Sequence, residues 1–182
     1  MPIYALGNKR PKIHPTAWVH PHAVLIGDVR LGASVSVWPM VVMRADNGPI
    51  RIGARTSIQD GSMLHTQPVN HTIVGEDCVI GHMVHLEGCT IENLVLVGSN
   101  SVVLERVICR SGSLIGAGAV VMADTEVPSG ALAVGVPAKI RLNAVNIDRI
   151  KENVDAYLDH LDEHRNGMLE IDLASCVTED VD

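Results

Sequence analysis

The sequence contains almost no aromatic side chains. Phenylalanine is absent, and Phe, Trp and Tyr together make up 2% of the 182 residues. Large aromatic rings normally supply much of the buried area of a globular core. Because 47% of the residues are nevertheless hydrophobic, the core is expected to be narrow and filled by branched aliphatic side chains.

Features that would indicate particular partners or compartments are also missing. The formal net charge is −7, and the absence of basic runs or stripes argues against binding to nucleic acid or to an anionic membrane. No apolar run approaches the roughly 20 residues that span a bilayer, and segment 1–15 lacks the apolar region of a signal peptide. The four cysteines form no C-x-x-C pair and do not indicate a disulfide framework. We therefore expect a soluble, reduced, cytoplasmic protein.

Apolar residues recur at every sixth position. Six-residue steps from Ile13, with three extra residues after Met43 and three more after Leu64, reach Ala133 through twenty positions, of which nineteen are apolar. The exception is His85. A period of six fits neither an amphipathic helix nor an alternating strand. It predicts a solenoid in which each hexapeptide forms a short strand and a turn, and three hexapeptides form one triangular coil.

This pattern predicts an all-β fold, a parallel β-helix followed by a C-terminal α-helix. Its six to seven coils would stack at the strand spacing of about 4.8 Å. The repeating residue would point into the prism, which places His85 inside. Beyond 135–139 the apolar spacing becomes helical. We predict a β-helix over 1–142, an amphipathic helix over 143–165 that packs on it, and a flexible acidic tail over 166–182.

Residues capable of chemistry gather around the two insertions. Arg44 and Asp46 follow the first break, and His65 follows the second. Insertions in a solenoid form loops on one side, which is often the binding side. With three residues added to an eighteen-residue coil, Glu87 would lie near the corner directly below His65, and His82 would project outward.

Several segments resemble the gamma-class carbonic anhydrases of the hexapeptide-repeat superfamily. The ordered set R-x-D, QDG-x-x-x-H and G-H is the most specific part of this resemblance, which extends from residue 1 to about 165. It implies a left-handed parallel β-helix and a homotrimer with metal sites between subunits. The matching segments are RADNGPIRIG (44–53), SIQDGSMLH (57–65), VIGHMV (79–84), LVGSNSVVL (96–104), LIGAGAVV (114–121) and LAVGVPAKI (132–140).

The resemblance also implies a set of metal ligands. The first two zinc-binding histidines of the family fall on His65 and His82, but the third position is occupied by Glu87. A carboxylate can replace the imidazole, because two histidines and a glutamate form a known catalytic zinc site. His85 is the alternative third ligand, although the repeat register disfavours it. We expect Zn²⁺, with Fe²⁺ or Co²⁺ as alternatives.

Four further residues match functional positions of the family. Arg44 and Asp46 match an arginine and an aspartate that form an ion pair between subunits, and Asp60 matches an aspartate that joins this network. Gln59 matches a glutamine that hydrogen-bonds near the zinc-bound water. The resemblance thus assigns Arg44, Asp46 and Asp60 to trimer assembly and support of the site, and it assigns Gln59 to orienting bicarbonate.

The proton-transfer residues of the most active family members are absent. Asn47 stands where those members carry a glutamate, and the loop 66–72 contains no acidic residue. His71 is the remaining candidate for a proton shuttle, since the unperturbed histidine pKa suits this role. An exposed loop residue is the alternative interpretation of His71.

Three functions are compatible with this set of residues. The first is reversible CO₂ hydration by zinc-bound hydroxide, which is expected to be weak because the negative charge of Glu87 would reduce the acidity of the bound water. The second is a hexapeptide-repeat acyltransferase or a metal-dependent thioesterase that acts on CoA thioesters. The third is a non-catalytic trimer that binds a metal or a small ligand. Metal content separates the first function from the acyltransferase.

Overall fold

A computed structural model describes residues 2–176, which form a parallel β-helix followed by one long α-helix. The helix α1 spans Ile147–Gly167, and a short 3₁₀ helix spans Leu173–Ser175. The strands are β1 (Ile3–Tyr4), β2 (Lys12–Ile13), β3 (Trp18–Val19), β4 (Val24–Leu31), β5 (Ser36–Val37), β6 (Val42–Ile52), β7 (Ser57–Ile58), β8 (Met63–His65), β9 (Thr72–Val74), β10 (Val79–Ile80), β11 (His85–Glu87), β12 (Thr90–Ile91), β13 (Leu96–Val97), β14 (Val102–Val103), β15 (Ile108–Cys109), β16 (Leu114–Ile115), β17 (Val120–Val121), β18 (Glu126–Val127), β19 (Leu132–Val134) and β20 (Lys139–Arg141).

The strands build a prism with three faces. The first face contains β1, β8, β11, β14 and β17, together with the starts of the long strands β4 and β6. The second face contains β2, the ends of β4 and β6, and then β9, β12, β15 and β18. The third face contains the seven parallel strands β3, β5, β7, β10, β13, β16 and β19. Seven coils of three strands therefore stack in chain order, and the predicted fold class is confirmed.

Aliphatic side chains fill the interior of the prism. Each face contributes one column of buried residues, since the inward residues of successive coils are paired in register. On the first face, Leu64 pairs with Leu86, and Leu86 pairs with Val103. All three side chains are buried. A phenylalanine ring would be too large for this repeated position, which explains why the sequence lacks it.

The prediction that His85 points inward is wrong. Leu86 occupies the inward position, and His85 lies on the outer surface with 35% of its side chain exposed. The insertion adds four residues rather than three, because Leu64 pairs with Leu86, 22 positions later. The next coil is one residue short, because Leu86 pairs with Val103, 17 positions later. The two departures cancel, so the predicted inward positions from Ile91 onward are correct.

The helix α1 packs against the third face. Its buried residues are Ile150, Val154 and Leu161, and they fall at the helical spacing that the sequence indicates. The Asn146 side chain caps the helix by accepting a hydrogen bond from the Asp148 backbone amide. Within residues 2–176, no helix is both long and apolar enough to cross a membrane.

The observed helix is two residues longer at its end than the predicted segment 143–165. The division of the chain into three units stays a prediction. The predicted acidic tail begins at residue 166, and its final part, 177–182, lies outside the described residues.

Substitution of two buried serines is expected to change the stability of the fold in opposite directions. Among the described residues, the Ser113 hydroxyl has no hydrogen-bond partner, so Ser113→Ala should stabilise the fold by about 1 kcal/mol. The Ser62 hydroxyl donates to the Gly81 carbonyl at 2.8 Å and accepts from the Val84 amide at 3.2 Å. Ser62→Ala should therefore destabilise the fold by about 1–3 kcal/mol. Chemical unfolding of both variants measures the difference, and equal losses would contradict the assignment.

Candidate functional site

Three polar side chains meet at the corner between the first and second faces. His65 ends β8 and Glu87 ends β11, and these two residues are paired in register on adjacent coils. The Nδ1 atom of His65 lies 3.2 Å from Glu87 Oε1, and its Nε2 atom lies 3.1 Å from Asp46 Oδ1. Only 15% of the His65 side chain is exposed. Both ring nitrogens of a largely buried imidazole therefore face carboxylates.

Glu87 also contacts two residues that come from different segments. Its Oε2 atom lies 3.3 Å from His85 Nε2, and its Oε1 atom accepts a hydrogen bond from Gln67 Nε2 at 3.2 Å. Burial opposes ionisation, but hydrogen bonds from Gln67, His65 and His85 outweigh it and lower the pKa of Glu87. The carboxylate is therefore held in its charged form.

Asp46 is held in place from three sides. Arg44 donates to its Oδ2 atom, and the Asn47 backbone amide donates to its Oδ1 atom at 3.0 Å. Burial opposes ionisation here as well, but the hydrogen bond from His65 and the charge of Arg44 lower the pKa of Asp46. Arg44 is thus paired with Asp46 within one protomer, whereas the resemblance implies an ion pair between subunits. That pairing between subunits stays a prediction.

A second group of polar residues lies at the corner between the third and first faces. His82 projects outward from the turn before β11, and its Nδ1 atom lies 2.9 Å from Asp60 Oδ2. The predicted outward orientation of His82 is confirmed. Gln59 is buried, and its side chain lies near Tyr157 of α1. Burial and the nearby charge of Asp60 raise the pKa of Tyr157, and the polar side chain of Gln59 partly offsets them.

The two groups lie at opposite ends of the first face. Strand β11 runs between them, from a start just after His82 to its end at Glu87. The three extended steps from residue 84 to residue 87 alone cover about 10 Å, whereas two ligands of one zinc ion each lie about 2 Å from the metal. Among residues 2–176 of a single protomer, no three His, Cys, Asp or Glu side chains are grouped so that they could hold a metal ion. One protomer therefore brings His65 and Glu87 together, but not His82.

Three contacts at these corners were not predicted from the sequence. Gln67 reaches Glu87 from the inserted loop, Lys9 Nζ donates to the Asp46 carbonyl, and Tyr157 reaches Gln59 from the helix. Tyr157 carries a signal that could have revealed it, because it is a residue with a polar end at a core-facing helical position. The other two contacts join segments that show no common pattern in the sequence.

His71, the candidate proton shuttle, lies beside the corner between the first and second faces, where Asp46 contacts His65. A side chain at Gly48 would come within 2.4 Å of the His71 ring, so the ring rests directly on the backbone that follows Asp46 and Asn47. The Asn47 side chain is engaged separately, since its Nδ2 atom donates to the Thr66 carbonyl at 3.1 Å. The role of His71 as a shuttle stays a prediction.

Comparison with curated proteins identifies relatives of this chain, although no protein-family model matches it. The carnitine operon protein CaiE of Escherichia coli K12 is 41% identical over 139 residues, which cover 76% of this chain and 71% of that protein. This similarity includes most of the β-helix, and its extent is sufficient to establish common ancestry.

Solved structures support the same relationship. A hexapeptide transferase family protein from Anaplasma phagocytophilum superimposes with a TM-score of 0.86 at 30% identity over 90% of this chain and 98% of that chain. A Bacillus cereus protein provisionally described as an acetyltransferase gives a TM-score of 0.88 at 32% identity over 91% of this chain and 98% of that chain. The shared architecture is the left-handed parallel β-helix of hexapeptide-repeat proteins. The chain belongs to the CaiE-like, gamma-class carbonic anhydrase-like family of that superfamily.

The contacts of Glu87 predict a pH-dependent contribution to stability. The pKa of Glu87 is lower in the folded protein than its ordinary value of 4.5. The carboxylate therefore stabilises the fold fully at pH values above 4.5, and this contribution is lost as the pH falls through the folded-state pKa. Glu87→Gln should therefore lower the melting temperature at pH 6, and the difference from the wild type should shrink towards pH 3. Glu152→Gln, on the exposed side of α1, is the control for removing one carboxylate. A Glu87→Gln effect that stays constant across this range would contradict the assignment.

Proposed function

We propose that the protein is a trimeric zinc metalloprotein of the gamma-class carbonic anhydrase type, with weak activity in the reversible hydration of CO₂. His65 and Glu87 of one subunit would bind the metal together with His82 of its neighbour. The observation that carries the proposal is the distribution of these ligands: His65 contacts Glu87 at one end of the first face, whereas His82 is exposed at the other end. A complete ligand set would therefore combine His65 and Glu87 of one copy with His82 of a second copy.

The surroundings of His65 fit a bound cation. A neutral imidazole has one N–H group and can donate to one acceptor, yet both ring nitrogens of His65 lie within 3.2 Å of a carboxylate oxygen. One of these contacts sets two lone pairs against each other unless a proton or a metal ion lies between them. Imidazole nitrogen and carboxylate oxygen are both zinc donors, and Fe²⁺ or Co²⁺ can accept the same donors.

The remaining polar residues orient the ligands. Asp46, held by Arg44, would accept a hydrogen bond from one nitrogen of His65 and direct the other nitrogen towards Glu87 and the metal. Asp60 would do the same for His82, because it engages Nδ1 and leaves Nε2 available as a metal ligand. Gln59, which lies with Asp60 near Tyr157, would supply an amide that can hydrogen-bond bicarbonate. In this scheme each predicted site residue has a separate task.

The substitution at the third ligand position limits the expected rate. A bound zinc ion supplies Lewis-acid activation of water. Glu87 is held as a carboxylate, and its negative charge opposes that activation more than a neutral imidazole would. Asn47 cannot carry a proton away, which leaves His71 as the candidate shuttle on this corner. Metal binding is therefore the firmer part of the proposal, and slow CO₂ hydration follows from it.

The surface of the first face supports assembly of the trimer. Its outward side chains are paired in register along one column, and aliphatic residues predominate in that column. Met63 is 38% exposed, and Met83, at the edge of the same face, is 64% exposed. An apolar face of this kind favours association, and rotation by a third of a turn would place the His82 corner of one subunit against the His65 corner of the next. The column consists of Val24, Val42, Met63, His85, Val102 and Val120.

Metal analysis tests the proposed ligand set. The purified trimer should bind one zinc ion per subunit, and His82→Ala should weaken zinc binding by at least about 100-fold. Mutation of residues that only hydrogen-bond the metal ligands already lowers metal affinity by roughly 10–100-fold. His14→Ala removes an exposed histidine from the first coils and should leave zinc binding unchanged. Glu87→His should retain zinc and increase CO₂ hydration above that of the wild type.

The outcomes separate the metal-dependent functions from the others. A trimer that binds no zinc would overturn the metalloprotein assignment and leave an acyltransferase or a non-catalytic binding protein. Zinc binding without hydratase activity in both the wild type and Glu87→His would overturn the carbonic anhydrase reaction alone.

Mutation of the first face tests whether the metal site needs assembly. Val102→Asp places a charge in the apolar column, and burying an unpaired charge opposes association. This variant should be monomeric and should lose zinc although it keeps all three ligands. Ile108→Asp makes the same change on the second face of the same coil and should remain trimeric. Light scattering coupled to gel filtration measures both, and a trimeric Val102→Asp variant would exclude this face as the interface.

Acyl transfer or hydrolysis of a CoA thioester is the second candidate function. It is favoured by the neighbours described as a transferase and an acetyltransferase. It is also favoured by a perosamine N-acetyltransferase mutant from Caulobacter crescentus in complex with CoA and GDP-perosamine. That structure is 30% identical, with a TM-score of 0.54 over 72% of this chain and 56% of that chain. Release of free CoA from acetyl-CoA that persists after zinc is removed would support acyl transfer, whereas zinc-dependent release would indicate a thioesterase.

A further inference from the structure

Three cationic residues from different coils form a column on the second face. Lys12 of β2 pairs in register with Arg30 of β4, and Arg30 pairs with Arg51 of β6. Adjacent strands are about 4.8 Å apart, so like charges are held close together along an exposed surface. Paired like charges destabilise a sheet. The arrangement therefore calls for an explanation beyond the stability of the fold.

The column borders a pocket with a volume of about 420 Å³. Two further cations, Lys9 and Arg10, contribute to its wall. With Lys12, Arg30 and Arg51, this group holds five of the 14 Lys and Arg residues of a chain whose net charge is −7. The pocket is lined by Asn8, Lys9, Arg10, Lys12, Asp28 and Arg30.

Asp28 is the one carboxylate among the residues that line the pocket. Asp28 accepts from Arg30 Nε at 2.9 Å and from Arg30 Nη2 at 3.0 Å. The hydrogen bond from Arg30 lowers the pKa of Asp28 against the opposing effect of burial, and the charges of Arg30, Lys12 and Arg51 lower it further. All three cations of the column thus stabilise the charged form of Asp28. Their combined positive charge exceeds the single negative charge of this carboxylate.

Three arginines elsewhere on the prism differ from this group because carboxylates neutralise their charge. Arg55, Arg106 and Arg110 each form ion pairs with carboxylates of neighbouring coils, at distances between 2.6 and 3.1 Å. In contrast, no ion pair within 4.0 Å involves Arg10, Lys12 or Arg51 in the part of the chain that the structure describes. Arg55, Arg106 and Arg110 in the middle of the prism are thus neutralised across coils, whereas the group around the pocket keeps excess positive charge.

We propose that this pocket binds a small anion that carries a diphosphate group. Guanidinium groups bind phosphate oxygens through paired hydrogen bonds, and lysine adds a compact positive charge. The volume lies within the range of small-molecule sites, and the four cations that line the pocket exceed what one phosphate requires. A positive patch on an otherwise negative protein also concentrates anions locally.

The anion site is separate from the proposed metal site but linked to it. Lys9 lines the pocket and donates to the backbone carbonyl of Asp46, and the side chain of Asp46 contacts His65 at 3.1 Å. A molecule anchored by its diphosphate in the pocket could therefore extend its other end towards the corner that holds His65. Binding of the diphosphate itself does not depend on zinc or on the proposed reaction.

Calorimetric titration with inorganic pyrophosphate tests the assignment on the full-length protein. The wild type should bind pyrophosphate, and Lys12→Ala combined with Arg10→Ala, which removes two cations that line the pocket, should weaken binding by about 100-fold, since each lost charge-assisted contact is worth about tenfold. Lys139→Ala combined with Arg141→Ala removes the same charge from the exposed strand β20 and should leave binding unchanged. Thermal melting checks folding, and pyrophosphate should raise the melting temperature of the wild type and the control only.

Three results would overturn the proposal. They are an absence of pyrophosphate binding to the wild type, equal weakening in both double variants, and orthophosphate binding as tight as pyrophosphate. Parallel titrations with ADP and with coenzyme A distinguish the sources of a diphosphate: tighter binding of either than of pyrophosphate supports a nucleotide ligand. Retention of pyrophosphate binding by His82→Ala would separate this site from the metal site.

Discussion

Parallel hydrogen bonding between successive coils is the constraint on which this structure depends. Each strand pairs with the strand one coil before and one coil after it, so the cross-section of the prism is fixed along its length. The interior accepts one aliphatic residue from each strand, and the same hydrogen bonds arrange the outward residues in columns. A residue on the outside is therefore positioned by its place in the coil rather than by packing around its side chain, which leaves its chemistry free to vary.

This constraint explains why the candidate site is divided. A strand of the first face ends at one corner and begins at another, so residues a few positions apart, such as His82 and Glu87, are directed to opposite edges. Residues 22 positions apart, such as His65 and Glu87, come into contact instead. The proposed threefold arrangement of such prisms would unite the two edges without any change in the backbone. Under that proposal the interface would set the geometry of the metal site, while each subunit remains a regular stack.

The sequence was sufficient to predict the regular part of the fold and insufficient where the period changed. The absence of phenylalanine and the six-residue spacing predicted the narrow aliphatic prism, and the helical spacing of Ile150, Val154 and Leu161 predicted the packed face of α1. His85 was misplaced because a four-residue insertion followed by a one-residue deletion looks, in sequence, like a three-residue insertion. The contact between His65 and Glu87 depended only on coil length, and the estimate was within one position of the observed pairing.

Contacts between unrelated segments could not be predicted. Lys12, Arg30 and Arg51 are separated by 18 and 21 residues, so they form no basic run, and only the register of three coils reveals the column. Tyr157 reaches Gln59 from a helix whose position on the prism is not encoded in the six-residue pattern. These contacts depend on where one element rests on another, which periodicity does not determine.

Strand β20 has a consequence for the behaviour of the molecule as a whole. It is the one strand within residues 2–176 that runs antiparallel to its neighbour in the β-helix sheets, and it pairs with β19 on the last coil. The exposed edge of a parallel stack is a template on which another chain could continue the same hydrogen bonding. At this end, the reversed strand carries Lys139 and Arg141 and follows Pro137, which has no amide hydrogen to donate. Part of the last coil is thereby closed against growth into a fibre, and the fold combines an indefinitely repeatable unit with a defined end.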